Sequence, residues 1–256
     1  MDFVVGHPRS GTQLMSELLN AGGDEVSAHE LLTALAPEAV SACTDYYEGR
    51  RGAESIARIL EHYDRRPRAS LRVDCNWKLA WILPPLVEKY PDARILHLTR
   101  EPRENVRSAY SLDYYGRLWS HPEYQTDEKR NYWLRWMPEI RRDDWDALSQ
   151  LERNCVFWTE THRLILDACA TRANYLRVRL EDLSDDATVG RVLAFFGVAA
   201  PPRDALEAVR RTRFNTKDNE KREVSALKPD APSPDELRAA VTRLCGEMAA
   251  RLGYSL

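Results

Sequence analysis

The stretch that most constrains this chain lies at its beginning: Val4-Val5-Gly6-His7-Pro8-Arg9-Ser10-Gly11-Thr12-Gln13-Leu14-Met15-Ser16-Glu17-Leu18-Leu19. The two valines supply a short buried strand. Gly6, Pro8, Ser10 and Gly11 punctuate a tight turn. Leu14, Met15, Leu18 and Leu19 then recur at helical spacing. A strand that feeds a helix through a glycine turn aims several backbone N–H groups and the positive end of a helix dipole at one point, which suits an anion. Arg9 places a cation in the same turn.

Strands and helices alternate along the rest of the sequence. Gly52 to Arg65 carries Ile56, Ile59, Leu60 and Tyr63 on one helical face, and Leu71–Cys75 reads as a strand. Lys78–Tyr90 reads as a helix interrupted at Pro84-Pro85. Ala93-Arg94-Ile95-Leu96-His97-Leu98-Thr99 is the strongest strand signal, followed by a helix that Pro102 opens from its first position. A long helix is expected from about Asp144 to Ala173, a strand over Tyr175–Leu180, and further helices over Thr188–Phe196, Pro201–Thr212 and Pro234–Leu252. This order predicts an α/β fold, a parallel β-sheet flanked by helices with right-handed crossovers. No repeat or linker divides the chain, so one domain over residues 1–256 is expected, with helical insertions and an irregular, aromatic-rich insertion at about 113–145. Five of the seven tryptophans fall between Trp119 and Trp158.

Composition narrows the function classes. A formal net charge of -3 provides no global basic field, so no nucleic-acid partner is expected. The five cysteines (Cys43, Cys75, Cys155, Cys169, Cys245) are scattered and form no CxxC pair. That argues against a zinc site or a disulfide framework and for a reducing compartment. No apolar run approaches the ~20 residues of a membrane span, and the first strand begins too early for a signal peptide. The expectation is a cytoplasmic protein with no membrane span; the oligomeric state is open.

The spacing from Gly6 to Gly11 is that of a Walker A loop, but Thr12 stands where its lysine belongs. The Ala93–Thr99 strand, a natural place for a metal-binding Asp, ends in Arg100. Phosphoryl transfer from ATP normally leans on magnesium. A site with Arg9 and Arg100 suits instead a donor handled by cations and backbone amides, and no metal is expected. A P-loop small-molecule kinase, or a nucleotide-binding protein of the same fold without catalysis, are the alternatives.

His7-Pro8-Arg9-Ser10-Gly11-Thr12 resembles the 5′-phosphosulfate-binding loop of the PAPS-dependent sulfotransferases (PAPS is 3′-phosphoadenosine 5′-phosphosulfate). Leu98 to Ser108 resembles their 3′-phosphate-binding motif, in which an Arg at the strand end and a Ser eight residues later grip that phosphate; Arg100 and Ser108 have this spacing. Glu88-Lys89-Tyr90-Pro91-Asp92-Ala93, Leu180-Glu181-Asp182-Leu183 and Phe195-Phe196-Gly197 extend the likeness, which runs from residue 3 to about 222. The resemblance implies a P-loop-like sulfotransferase core that transfers a sulfuryl group from PAPS to a hydroxyl, less readily an amine, of a small-molecule or carbohydrate acceptor and releases adenosine 3′,5′-bisphosphate. It implies donor binding by Pro8, Arg9, Ser10, Gly11, Thr12, Gln13, Arg100 and Ser108. A closing C-terminal basic loop falls in the region of Lys217, Lys221 and Arg222, without the family's usual Arg-Lys-Gly. The Tyr that often precedes Glu-Asp-Leu is Leu180 here.

Arg9, where the family often has Lys, keeps the charge and offers a fork. It is expected to clamp the bridging and sulfuryl oxygens. The proton acceptor has three candidates. Glu30 lies at a distance from Gly11 matching the proposed base of the bacterial trehalose sulfotransferase. Asp74 ends the Leu71–Cys75 strand, where other branches place Glu or His. His29 adjoins Glu30. Tyr114, Tyr115, Trp119, Tyr124, Tyr132, Trp133 and Trp136 serve either as a lid over the acceptor or as core between insertion helices.

Overall fold

The computed structural model of the chain describes residues 1–31, 53–64, 70–115, 145, 147–212 and 231–256. Within them five strands form one sheet: β1 (Asp2–Gly6), β2 (Ser27–His29), β3 (Val73–Cys75), β4 (Ile95–Thr99) and β5 (Tyr175–Arg179). Their spatial order is β2-β3-β1-β4-β5, and every pairing is parallel. The helices are α1 (Thr12–Asn20), α2 (Ala53–Asp64), α3 (Leu83–Lys89), α4 (Pro102–Tyr110), α5 (Gln150–Cys169), α6 (Asp186–Phe196), α7 (Arg203–Arg211) and α8 (Pro234–Arg251), with 3-10 turns at Trp77–Ile82 and Leu180–Ser184.

The central strand explains the layering. Successive side chains of a strand point to opposite faces, so Phe3 and Val5 enter one layer with Ile59 of α2, Trp81, and Phe157 and Ile165 of α5. Val4 enters the other, with Met15, Leu18 and Leu19 of α1 and Val192 and Phe196 of α6. A third apolar cluster joins Val106 of α4 and Trp158 of α5 to Val241 and Met248 of α8. Phe3, Val4 and Val5 are fully buried, as a strand covered on both faces requires.

Several boundaries differ from the sequence expectation for identifiable reasons. The segment expected as one proline-broken helix is a 3-10 turn followed by α3, and Pro84 and Pro85 fall in the first turn of α3, where backbone N–H groups have no intrahelical acceptor to lose. The long helix starts at Gln150, later than about Asp144, because Ser149 and Glu152 form a reciprocal capping box. Asp185 caps α6, which therefore begins two residues before its expected start, and Gly197 closes it in the left-handed region at φ 62°. β2 has three residues without β-branched or aromatic side chains and carried no strand signal.

This topology fixes where the site must be. From β1 the chain runs outward to β2 and returns through β3; it then crosses β1 to β4 and β5. The carboxyl ends of β1, β3 and β4 therefore meet at a reversal of strand order, where open parallel sheets bind ligands.

Candidate active site

The loop after β1 is folded by its own backbone. Ser10 donates both its N–H (3.1 Å) and its hydroxyl (2.6 Å) to the carbonyl of His7. His7 Nδ1 lies 2.7 Å from the Pro8 carbonyl, so the proton sits on Nδ1. Burial drops the His7 pKa to about 3, so the ring is neutral. Arg9 (φ 68°) and Gly11 (φ 97°) both adopt left-handed backbone, which Gly tolerates and Arg does not favour. A Cβ on Gly6 would collide with the Leu98 carbonyl and the Ser10 hydroxyl. The close pairing of β1 and β4 therefore dictates glycine there.

Gly11 is the N-cap of α1, with no side-chain cap and no acidic residue in the first turn. The first-turn amides of α1, from Thr12 and Gln13 onward, consequently face the loop without an intrahelical acceptor and with a favourable dipole. Leu180 packs over Gly11.

Arg100 and Ser108 come to this loop from β4 and α4. Arg100 Nη1 donates to the Arg9 carbonyl at 3.0 Å, and Arg9 Nε donates to Ser108 Oγ at 3.2 Å. Burial lowers the Arg100 pKa; Glu104 and Glu181 oppose the shift, and the charges of Arg9 and Arg107 add to it. Two guanidinium groups and a hydroxyl thus meet at a partly desolvated point beside a helix N-terminus. This is an anion site by charge, hydrogen bonding and dipole together. Pro102 opens α4, and Glu101 caps it by accepting from the Glu104 N–H, so the Arg100 turn is held rigidly.

A second cluster borders the loop on the β2–β3 side. Thr12 Oγ1 lies 3.2 Å from His29 Nε2. Glu30, in left-handed backbone at φ 53°, accepts from Lys78 Nζ at 2.6 Å and from Trp77 Nε1 at 2.8 Å. Burial pushes its pKa up, but the Lys78 hydrogen bond and charge, with His29 and Trp77, outweigh that and hold it below the usual value. Burial likewise lowers the His29 pKa, against the pull of Glu30. Asp74 is fully buried; it accepts from Tyr63 Oη at 2.7 Å and from the Leu31 N–H at 3.1 Å, and burial raises its pKa to about 6. Through Tyr63 it ties β3 to α2.

The structure thus brings Pro8, Arg9, Ser10, Gly11, Thr12, Gln13, Arg100 and Ser108 to one place, with Glu30 and His29 beside it and Asp74 behind. Lys217, Lys221 and Arg222 lie outside the described residues, as does the aromatic segment from residue 116 to Trp136. Tyr115 is partly buried and packs against the core, its ring edge-on to Trp145 (5.2 Å) and Phe157 (5.6 Å). The Trp77 and Lys78 grip on Glu30 was not foreseen. Its only sequence signal is that Trp77-Lys78 follows β3 as Glu30 follows β2, so neighbouring parallel strands deliver both to one end.

An anion cradle of this design on a five-stranded parallel sheet defines a P-loop-like α/β fold. The family model described as "Sulfotransferase family" matches residues 3–202, and the chain belongs to that family, the transferases of sulfuryl groups. Among curated proteins none matches the sequence. Two solved structures share the fold. A "Sulfotransferase Domain from the Curacin Biosynthetic Pathway" aligns with TM-score 0.50 and 14% identity over 100% of this chain and 98% of that one. A sulfotransferase from Alicyclobacillus acidocaldarius aligns with TM-score 0.52 and 16% identity over 99% and 96%.

Proposed function

We propose that the protein transfers a sulfuryl group from PAPS to a hydroxyl of a small-molecule or carbohydrate acceptor, releasing adenosine 3′,5′-bisphosphate. The observation that carries this reading is the convergence of Arg9, Arg100 and Ser108 at the N-terminus of α1, within reach of the Glu30 cluster. Bound there, PAPS would supply an activated sulfuryl group on a phosphate leaving group. The first-turn amides of α1 and the loop amides hold the 5′-phosphosulfate oxygens, and Arg100 with Ser108 holds the 3′-phosphate. Such fixed donors act where charge develops during transfer.

Arg9 links the two halves. Its Nε occupies the Ser108 hydroxyl, so a phosphate that engages Ser108 competes with Arg9 and frees the guanidinium to turn toward the sulfuryl position. Glu30 accepts the acceptor's proton. As an ionised carboxylate held low it is a weak base, but a hydroxyl that displaces Lys78 from Oε2 removes the largest lowering contribution and raises its basicity as binding occurs. Asp74, fully buried behind this cluster, is the second candidate, with a pKa that burial raises to about 6.

The test is a pair of measurements on Arg100→Ala. Adenosine 3′,5′-bisphosphate binding, read by calorimetry, should weaken by about 2 kcal/mol, the usual loss when a charged hydrogen-bonding partner is removed. Sulfate transfer from PAPS to an acceptor panel should fall with it. Unchanged bisphosphate affinity, or tighter binding of ATP with magnesium by the wild type, would sink the reading.

A further inference from the structure

We infer that Tyr254, near the C-terminus and beyond the family-matched residues 3–202, is a positioning residue for the 3′-phosphate turn. It acts by fixing Arg100 through the residues on either side of it. This rests on the proposed role of Arg100 in donor binding.

The side chain is buried (6% exposed) in the cluster that joins α4, α5 and α8. Its hydroxyl donates to Glu181 Oε2 at 3.2 Å and lies 3.0 Å from Thr99 Oγ1. A phenol has one proton, so with that proton on Glu181 the Thr99 hydroxyl donates to Tyr254 Oη, the nearer of its two acceptors, the Val178 carbonyl lying at 3.4 Å. The other oxygen of Glu181 accepts the Glu101 N–H at 2.8 Å. The chain Thr99–Tyr254–Glu181–Glu101 therefore closes a bracket around Arg100, holding residue 99 by its side chain and residue 101 by its backbone. Arg179 lies over the Tyr254 ring at 4.5 Å from the centroid, which fixes the plane of the ring and the direction of its hydroxyl. Thr99 is fully buried, which shelters that end of the bracket, whereas Glu181 and its bond to the Glu101 N–H face solvent. Arg100 donates to the Arg9 carbonyl and lies 3.8 Å from the Glu104 carboxylate, and the course of its guanidinium follows from the backbone that the bracket sets.

The experiment compares two ligands that differ only in the 3′-phosphate, adenosine 3′,5′-bisphosphate and adenosine 5′-monophosphate, on the full chain. Wild type should prefer the bisphosphate. Tyr254→Phe keeps the ring, its burial and its contact with Arg179. It should bind the bisphosphate roughly fivefold more weakly, as loss of one net hydrogen bond implies, with monophosphate affinity unchanged. Thr99→Val should do the same and Thr99→Ser should not, and Thr99→Val combined with Tyr254→Phe should be no worse than Tyr254→Phe alone. Equal weakening of both ligands means a general structural role and overturns the inference. An undiminished preference in Tyr254→Phe also overturns it while leaving the donor reading intact. Absence of preference in the wild type overturns the donor reading, and this inference with it.

Discussion

At the residue scale the site turns on two charged side chains in left-handed backbone. Arg9 (φ 68°) and Glu30 (φ 53°) each carry strain that neither residue type favours, and each ends in a contact from another strand: Ser108 beyond β4 and Lys78 beyond β3. Glu30→Gln preserves size and hydrogen bonding to Trp77 but cannot accept a proton. Turnover should fall by about 10²–10⁴, the usual contribution of a general base, with bisphosphate affinity little changed; near-wild-type turnover would remove Glu30 from the mechanism. Because Lys78 outweighs burial and holds the Glu30 pKa below the ordinary value of 4.5, the carboxylate is ionised at neutral pH and the acid limb of the rate profile should lie below that value before acceptor binds. The sequence offered Glu30 first, then Asp74 and His29, as candidate proton acceptors. Their separation depends on burial and partners, which no spacing reports.

At the scale of elements the working unit is β1, its loop and α1. The close approach of β1 to β4 leaves no room for a Cβ at Gly6, because the Leu98 carbonyl and the Ser10 hydroxyl already fill that space. Gly6→Ala should cost about 1–3 kcal/mol, as inserting a methyl into packed backbone does. It should also weaken donor binding by pushing Ser10 off the His7 carbonyl. A denaturation midpoint and bisphosphate affinity both equal to wild type would contradict this packing. This unit was legible because glycine turn, apolar strand and helical periodicity all pointed the same way. β2 was not legible: Ser27-Ala28-His29 is a strand because α1 and β3 enclose it, through Ser16 Oγ to Ser27 Oγ at 2.9 Å and the register Ser27 with Val73.

At the scale of the whole molecule the buried histidines set the acid limit. His97 bonds Tyr175 Oη at 2.8 Å and His162 Nδ1 at 2.7 Å, and His7 lies edge-on to Phe157. Burial lowers the pKa of His7 and His97 to about 3 and that of His162 well below 6.5. For groups with depressed folded pKa the stabilisation is complete above 6.5 and is lost as pH falls toward 3, because the unfolded chain takes up protons that the folded core refuses. Asp74 opposes them: its pKa, raised from 3.8 to about 6, makes its own contribution grow as pH falls through that window. Three histidines against one carboxylate leave a net loss of about 3 kcal/mol per pH unit below 6. Urea unfolding followed from pH 7 to pH 5 should show this decline; a flat profile would mean that the histidines are not buried neutral.

Alone, the sequence determined the local chemistry: a glycine turn between an apolar strand and an amphipathic helix, an arginine ending the strongest strand, a serine at the matching distance, and alternation that requires a parallel sheet. These are short-range properties, written in propensity and spacing. Tertiary structure decided what depends on which strand lies beside which. The order β2-β3-β1-β4-β5 carries Lys78 to Glu30, encloses Asp74, brings Arg9 onto Ser108 and lays Tyr254 against the Arg100 turn. Lys78 and Glu30 stand 48 residues apart, Arg9 and Ser108 99, and Tyr254 and Thr99 155, and burial and hydrogen bonding between them arise only once the sheet has formed.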